Sequence, residues 1–234
     1  MDYIIESFGI SDVGLARETN EDVFHEIPLH RFFVLADGMG GHNAGEIAAK
    51  EVIHHLSSSI CQIFSSAEDL SSLPSLLHKA ILKANHWVHQ LSEQKAEFQG
   101  MGTTLCCLLI HEKNLVFANI GDSRIYRFRD KLEQITQDHR SCHLLKGKKN
   151  LITKAVGTSP HIEPDIEMQL IDENDLYFLC SDGLTDYVSD SEITQILDNH
   201  SCIKTASEQM VELAKANGGG DNITILMVKV RKNG

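Results

Sequence analysis

Aspartates punctuate this chain where apolar runs stop or start. Asp37 follows Phe32-Phe33-Val34-Leu35-Ala36, and Asp182 follows Leu176-Tyr177-Phe178-Leu179-Cys180-Ser181. Asp221 stands just before Ile223-Thr224-Ile225-Leu226-Met227-Val228, and Asp122 lies in the turn Gly121-Asp122-Ser123-Arg124. Carboxylates mounted at strand ends with small neighbours are hard oxygen ligands for a divalent cation, and oxygen donors favour Mg²⁺ or Mn²⁺ over zinc. The run Arg17-Glu18-Thr19-Asn20-Glu21-Asp22 adds an acidic pair and a planar guanidinium that can grip two phosphate oxygens at once. Such a set suits phosphate ester hydrolysis. Two cations ~3.5–4 Å apart can share a hydroxide, present it in line with phosphorus and neutralise developing charge. Each residue also has a plainer reading. Asp-Gly and Asp-Ser make turns, Glu21-Asp22 could be a solvated pair, and Arg17 a surface ion pair of little energetic weight. Their joint occurrence favours the site.

The elements that must hold these residues are legible from periodicity. Segment 3–36 reads as strands, with Phe32–Ala36 the clearest. Asn43 to Phe64 reads as a helix with the stripe Ala48, Val52, Leu56, Ile60 and Ile63, broken by the small polar residues Ser65–Ser72. A second helix presents Leu73, Leu76, Leu77, Ala80, Ile81, Ala84, Trp87, Val88 and Leu91 on one face, with Trp87 taken as core. Strands follow at Thr103–Ile110, Leu115–Ile120, Arg124–Phe128, Leu132–Thr136 and Leu176–Cys180. Thr103 and Thr104 are assigned to packing. Ser189 and Glu192 predict a capping box for a helix from about 190. Another helix, roughly 203–216, is stopped by Gly218-Gly219-Gly220, and Ile223–Val230 closes the chain as a strand. With no linker or repeat, residues 1–234 are expected to form one α+β domain, sheets with helix pairs packed outside.

Bulk properties exclude several classes. A formal charge of −12 argues against non-specific nucleic-acid binding. It suits a phosphate enzyme only if cations fill the carboxylate cluster. There is no 18-residue apolar run or signal-like start, so the expectation is a cytoplasmic chain that does not span a membrane. The six cysteines, at 61, 106, 107, 142, 180 and 202, lack C-x-x-C spacing and read as reduced thiols, those at 106, 107 and 180 inside strands. The thirteen histidines show no metal-ligand spacing.

The ordered set R-x-x-x-E-D, D-G-M-G-G-H, G-T-T, G-D-S-R, S-D-G-L and G-D-N resembles the metal-dependent protein phosphatases of the 2C type, in particular the compact bacterial ones, from about Gly9 to Val230. The resemblance implies a central sandwich of two antiparallel sheets flanked by antiparallel helix pairs. It also implies hydrolysis of phosphoserine and phosphothreonine in proteins with two or three Mn²⁺ or Mg²⁺ ions. Asp37 then matches the carboxylate bridging the two core metals, Gly38 a backbone ligand, and Asp182 and Asp221 further ligands. Glu21 and Asp22 match the acidic pair that binds metal directly or through water. Arg17 matches the phosphate-gripping arginine, and Asp122 with Asp182 would hold the third metal. The implied partners are phosphorylated proteins and an opposing bacterial-type serine/threonine kinase; a monomer is expected.

Two departures stand out. Met39 replaces the histidine that some members carry after Asp-Gly, and His42 does not inherit its role, so no residue is assigned to protonate the leaving group and a metal-bound water is the expectation. Between His139 and Asn150 only Arg140–Lys149 intervenes, so the mobile flap is largely missing. Lys146, Lys148 and Lys149 in that stretch are either a solvated loop or a docking patch for acidic phosphoproteins. The alternative functions are an inactive binding module and a phosphatase dedicated to one regulatory phosphoprotein.

Overall fold

Alternation of side chains decides how this chain layers. In the strand Phe32–Met39 (β3), Phe32, Val34 and Ala36 pack toward one set of partners, and Phe33 and Leu35 toward another. A strand buried on both faces must be apolar on both, as this one is. The computed structural model describes residues 3–40, 44–66, 70–141 and 151–232. His42, the lysines at 146, 148 and 149, and the segment that would show the shortened flap beyond Ser141 lie outside the described residues.

The first sheet is built from Tyr3–Asp12 (β1), Ile223–Lys232 (β11), Leu176–Cys180 (β10), Arg124–Phe128 (β7) and Leu132–Gln134 (β8), in that order. The second orders Asp22–Ile27 (β2), β3, Leu105–His111 (β5), Asn114–Ile120 (β6) and Asp165–Leu170 (β9), with the two-residue strand Gly102–Thr103 (β4) beside β3. Every pairing is antiparallel. The sheets stack face to face over Phe33, Leu35, Cys106, Leu108, Phe117, Tyr177, Leu179, Leu226 and Val228. Helices Ala44–Ser65 (α1) and Leu73–Gln94 (α2) cover the outer face of the second sheet. A one-turn helix, Asp182–Thr185 (α3), with Asp190–Asn199 (α4) and Ile203–Ala216 (α5), covers the first. The result is the layered sandwich expected from the sequence, and no described helix is long and apolar enough to cross a membrane.

Local chemistry explains the helix ends. Ser189 and Glu192 form the expected capping box, the Ser189 N–H donating to Glu192 Oε2 at 2.9 Å and the Glu192 N–H to Ser189 Oγ at 3.4 Å. After α5 the chain turns through Gly218 and Gly219 at φ 136° and 54°, conformations open to glycine. The buried cysteines 106, 107 and 180 are free thiols, as expected.

Three expectations need correction. Trp87 is 44% exposed: its ring lies 4.5 Å from that of His55 and its Nε1 donates to Glu51 Oε2 at 2.9 Å. It flanks the buried stripe and shields the α1–α2 seam, an amphipathic duty that suits indole. The run Thr103–Ile110 is two strands, because Thr104 leaves the ladder to bond Asp37. Strand β9 was not anticipated. Its Ile166, Met168 and Leu170 alternate, but Met168 and Leu170 are largely exposed on a sheet edge.

Candidate metal centre

Strand parity carries the acidic residues to one end of the gap between the sheets. Asp37 shares the inward parity of Phe33 and Leu35, and Asp22 opposes it directly in the β2–β3 ladder. Like charges paired across strands repel, so this register is costly without a cation. Asp182 follows β10 at the start of α3, and Asp221 lies in the bend before β11. Each sheet thus contributes carboxylates. The concave grooves between α1 and α2 and beside Gly157 contain none of these residues, so charge rather than concavity locates the site.

Hydrogen bonds fix the mounts. The Asp37 N–H donates to Thr104 Oγ1 at 2.9 Å, while Thr103 Oγ1 and the Thr104 N–H donate to the Asp37 carbonyl at 2.9 and 2.8 Å. The Gly-Thr-Thr threonines therefore clamp the Asp37 main chain, beyond the packing role expected of them. Ser181 Oγ donates to Asp22 Oδ2 at 2.7 Å and accepts the Thr224 N–H at 3.0 Å, tying β10 and β11 to β2. The Gly38 N–H donates to the Glu21 carbonyl at 3.1 Å. The Glu21 carboxylate rests against Gly45 in the first turn of α1, where the helix dipole favours an anion. A Cβ on Gly38 would overlap the Gly45 carbonyl, and one on Gly183 the Asn222 carbonyl, so both Asp-Gly steps need glycine for close approach.

Asn222 is the centre of the loop that carries Arg17. Its Oδ1 accepts the Glu21 N–H at 2.9 Å, and its Nδ2 donates to the carbonyls of Val13 and Thr19 at 3.0 and 2.9 Å. Its place in Gly220-Asp221-Asn222 was the only sequence signal for this role. Asn222→Ala leaves these part-buried hydrogen bonds unmade. We expect a loss of about 1–3 kcal/mol in thermal unfolding, and kcat/KM lowered about 10–100-fold through the displaced Glu21 and Arg17.

Arg17 is half exposed and donates from Nη2 to Asp221 Oδ2 at 2.8 Å, within reach of an incoming anion. Arg140, which the sequence did not single out, donates to Asp122 Oδ2 at 2.6 Å, Asp182 Oδ2 at 2.9 Å and Asp186 Oδ1 at 3.2 Å.

The electrostatics report unmet negative charge. Burial, then the neighbouring carboxylates Asp22, Asp182, Asp122 and Asp221, push Asp37 well above the usual range. Burial raises Asp22 to about 6 against the hydrogen bond from Ser181. Burial and then Asp122, Asp186 and Asp221 raise Asp182 to about 7, with Arg140 opposing. Glu21 is raised by burial, and Arg17 opposes.

Among the described residues no three acidic, imidazole or thiol groups already close on one point as ligands. Ser181 holds Asp22, Arg17 holds Asp221, and Arg140 bridges Asp122 and Asp182; the Ser181 and Arg17 contacts are ones that a cation can exchange for its own. The shared demand of these carboxylates for positive charge still marks the site. A buried Asp22 with the half-buried Asp37, Asp182 and Asp221, drawn from both sheets, supplies the oxygen donors that Mn²⁺ or Mg²⁺ requires, so these four fit a core pair of ions. The corner of Asp122 and Asp182 does not fit a further ion, because a guanidinium already bridges it.

Comparison with known proteins agrees with this geometry. The serine/threonine phosphatase Stp of Listeria monocytogenes is 32% identical over 238 residues, spanning 94% of this chain and 93% of that protein. The structure of the serine/threonine phosphatase PstP of Mycobacterium tuberculosis superposes with a TM-score of 0.87 at 32% identity, covering 97% of this chain and 99% of that one. A PstP catalytic domain in complex with two manganese ions matches with a TM-score of 0.87 at 34% identity, covering 99% of this chain and all of that one. The family model described as protein phosphatase 2C matches residues 17–216, from the arginine of the first motif to the end of α5. By sequence and fold, the chain belongs to the protein phosphatase 2C family.

Proposed function

We propose that this chain hydrolyses phosphoserine and phosphothreonine in proteins, with two Mn²⁺ or Mg²⁺ ions as cofactors. The observation that carries the reading is the gathering of Asp22 and Asp37 from one sheet with Asp182 and Asp221 from the other, beside an accessible Arg17. Asp37, Asp22, Asp182, Asp221 and the Gly38 carbonyl would hold the ions, with Glu21 in support. When bound, the ions activate water and neutralise charge on the transferring phosphoryl group. Arg17 exchanges Asp221 for two phosphate oxygens and orients the ester. The Thr103–Thr104 clamp and Ser181 keep Asp37 and Asp22 from moving as charge develops, since a preorganised site need not rearrange during reaction.

The substrates we infer are phosphoproteins of a bacterial-type serine/threonine kinase, met by a cytoplasmic monomer. The free thiols at 106, 107 and 180 support a reducing compartment. The test is turnover of phosphothreonine and phosphotyrosine peptides with Mn²⁺ or with EDTA. We expect phosphothreonine turnover with Mn²⁺ alone. For Arg17→Lys we expect KM raised about tenfold as one of two charge-assisted hydrogen bonds is lost. Turnover that survives EDTA would refute the reading.

A further inference from the structure

Arg140 has a mount that is independent of the acidic residues it reaches. It forms an antiparallel bridge with Ile152, flanked by the Ser141 N–H donating to Leu151 O at 3.0 Å and the Thr153 N–H to His139 O at 2.8 Å. The preceding His139 is locked as well. Its N–H donates to the Gly121 carbonyl at 2.9 Å, its Nδ1 accepts the Gly121 N–H at 3.0 Å, and its Nε2 faces Asp165 Oδ2 at 3.1 Å. Main-chain pairing therefore fixes the backbone of Arg140 beside the corner, within reach of the carboxylates.

Once there, its three nitrogens are all committed: Nε to Asp122, Nη2 to Asp182 and Nη1 to Asp186. Burial opposes the Arg140 charge, and Asp122, Asp186 and Asp182 outweigh it. The Asp122 side chain is only 3% exposed, so its charge has little other compensation. The family resemblance expects a third divalent ion between Asp122 and Asp182. A hard cation of this kind takes about six oxygen ligands, carboxylates among them. Here one oxygen of each carboxylate is taken by the guanidinium. What remains is one oxygen from each carboxylate, Asp182 Oδ1 and the buried Asp122 Oδ1 that is unpartnered among the described residues, both beside a positive charge.

We infer that Arg140 is the resident cation of this corner, standing in place of a third metal ion. The chain then works with two ions. Asp122 is a positioning residue that holds Arg140, and Arg140 in turn braces Asp182 for the core pair. This assignment rests on the two-ion phosphatase reading above.

The test counts Mn²⁺ per chain by equilibrium dialysis with elemental analysis, with thermal unfolding as the check on folding. The expected counts are two for the native protein, two for Asp122→Asn, two for Arg140→Lys, and three for Arg140→Ala, the third ion binding weakly. Should Arg140→Ala fail to fold, Asp122→Asn decides, because an ion held by Asp122 would be lost from it. Three ions in the native protein falling to two in Asp122→Asn would overturn the assignment. So would two ions in a folded Arg140→Ala, with the phosphatase reading intact in both cases. No Mn²⁺ bound by any of them would overturn both.

Discussion

Asp37→Asn should abolish phosphatase activity and yet make the metal-free protein more stable. Asparagine keeps the shape and the main-chain clamp from Thr103 and Thr104 but cannot supply the negative charge that a shared cation needs. A divalent ion contributes several kcal/mol of charge stabilisation at a phosphoryl transition state, so kcat/KM should fall on the order of a thousandfold or more. The stability gain comes from removing a charge that is buried and that faces Asp22 across the ladder. In EDTA at pH 7.5 the melting temperature of the variant should rise, by about 2–4 °C for each kcal/mol relieved. A variant that is both active and less stable would show that Asp37 is an ordinary turn residue.

The second large effect is the pH dependence of the metal-free protein and its reversal by Mn²⁺. Folding raises Asp22 to about 6 and Asp182 to about 7 from an ordinary value near 3.8, so the folded state holds protons that the unfolded chain releases. The contribution of these groups is fully present below about pH 4 and is lost as pH rises through 6 and 7. Metal-free protein should therefore melt progressively lower from pH 5 to pH 7.5. Mn²⁺ requires the deprotonated carboxylates and should stabilise increasingly over the same window, by about 2.7 kcal/mol per site at a hundredfold excess over Kd. Melting curves with EDTA and with Mn²⁺ across that range give the comparison. Parallel curves, with no divergence as pH rises, would remove the carboxylates from the metal site.

Much of this could be read from the chain because the signals were local. Asp37, Asp182 and Asp221 sit where apolar runs end, and a strand end in sequence is a strand end in space. Arg124–Phe128 and Leu176–Cys180 emerged with the expected bounds, and the capping box at Ser189 formed as its residue types dictate. What escaped depends on partners far along the chain. Arg140 meets Asp182 across 42 residues and Ser181 meets Asp22 across 159, and neither contact leaves a periodic trace. Trp87 escaped for a different reason, since helical spacing assigns a face but not whether the residue lies at its centre or its rim. The exposed edge strand Asp165–Leu170 alternates correctly but lacks the burial that makes alternation legible.

The pairing of the first strand with the last has a consequence for when the catalytic end can exist. Tyr3–Asp12 runs its full length against Ile223–Lys232, and Asp221 and Asn222 sit at the mouth of that final strand. A chain lacking residues 221–232 has no β11 to pair with β1 and no Asn222 to staple the loop bearing Arg17. Contacts so distant in sequence form late and slowly, after the local helix pair and hairpins. Cation capture should thus wait for residues 221–232, and a variant truncated before Asp221 should bind no Mn²⁺ in equilibrium dialysis.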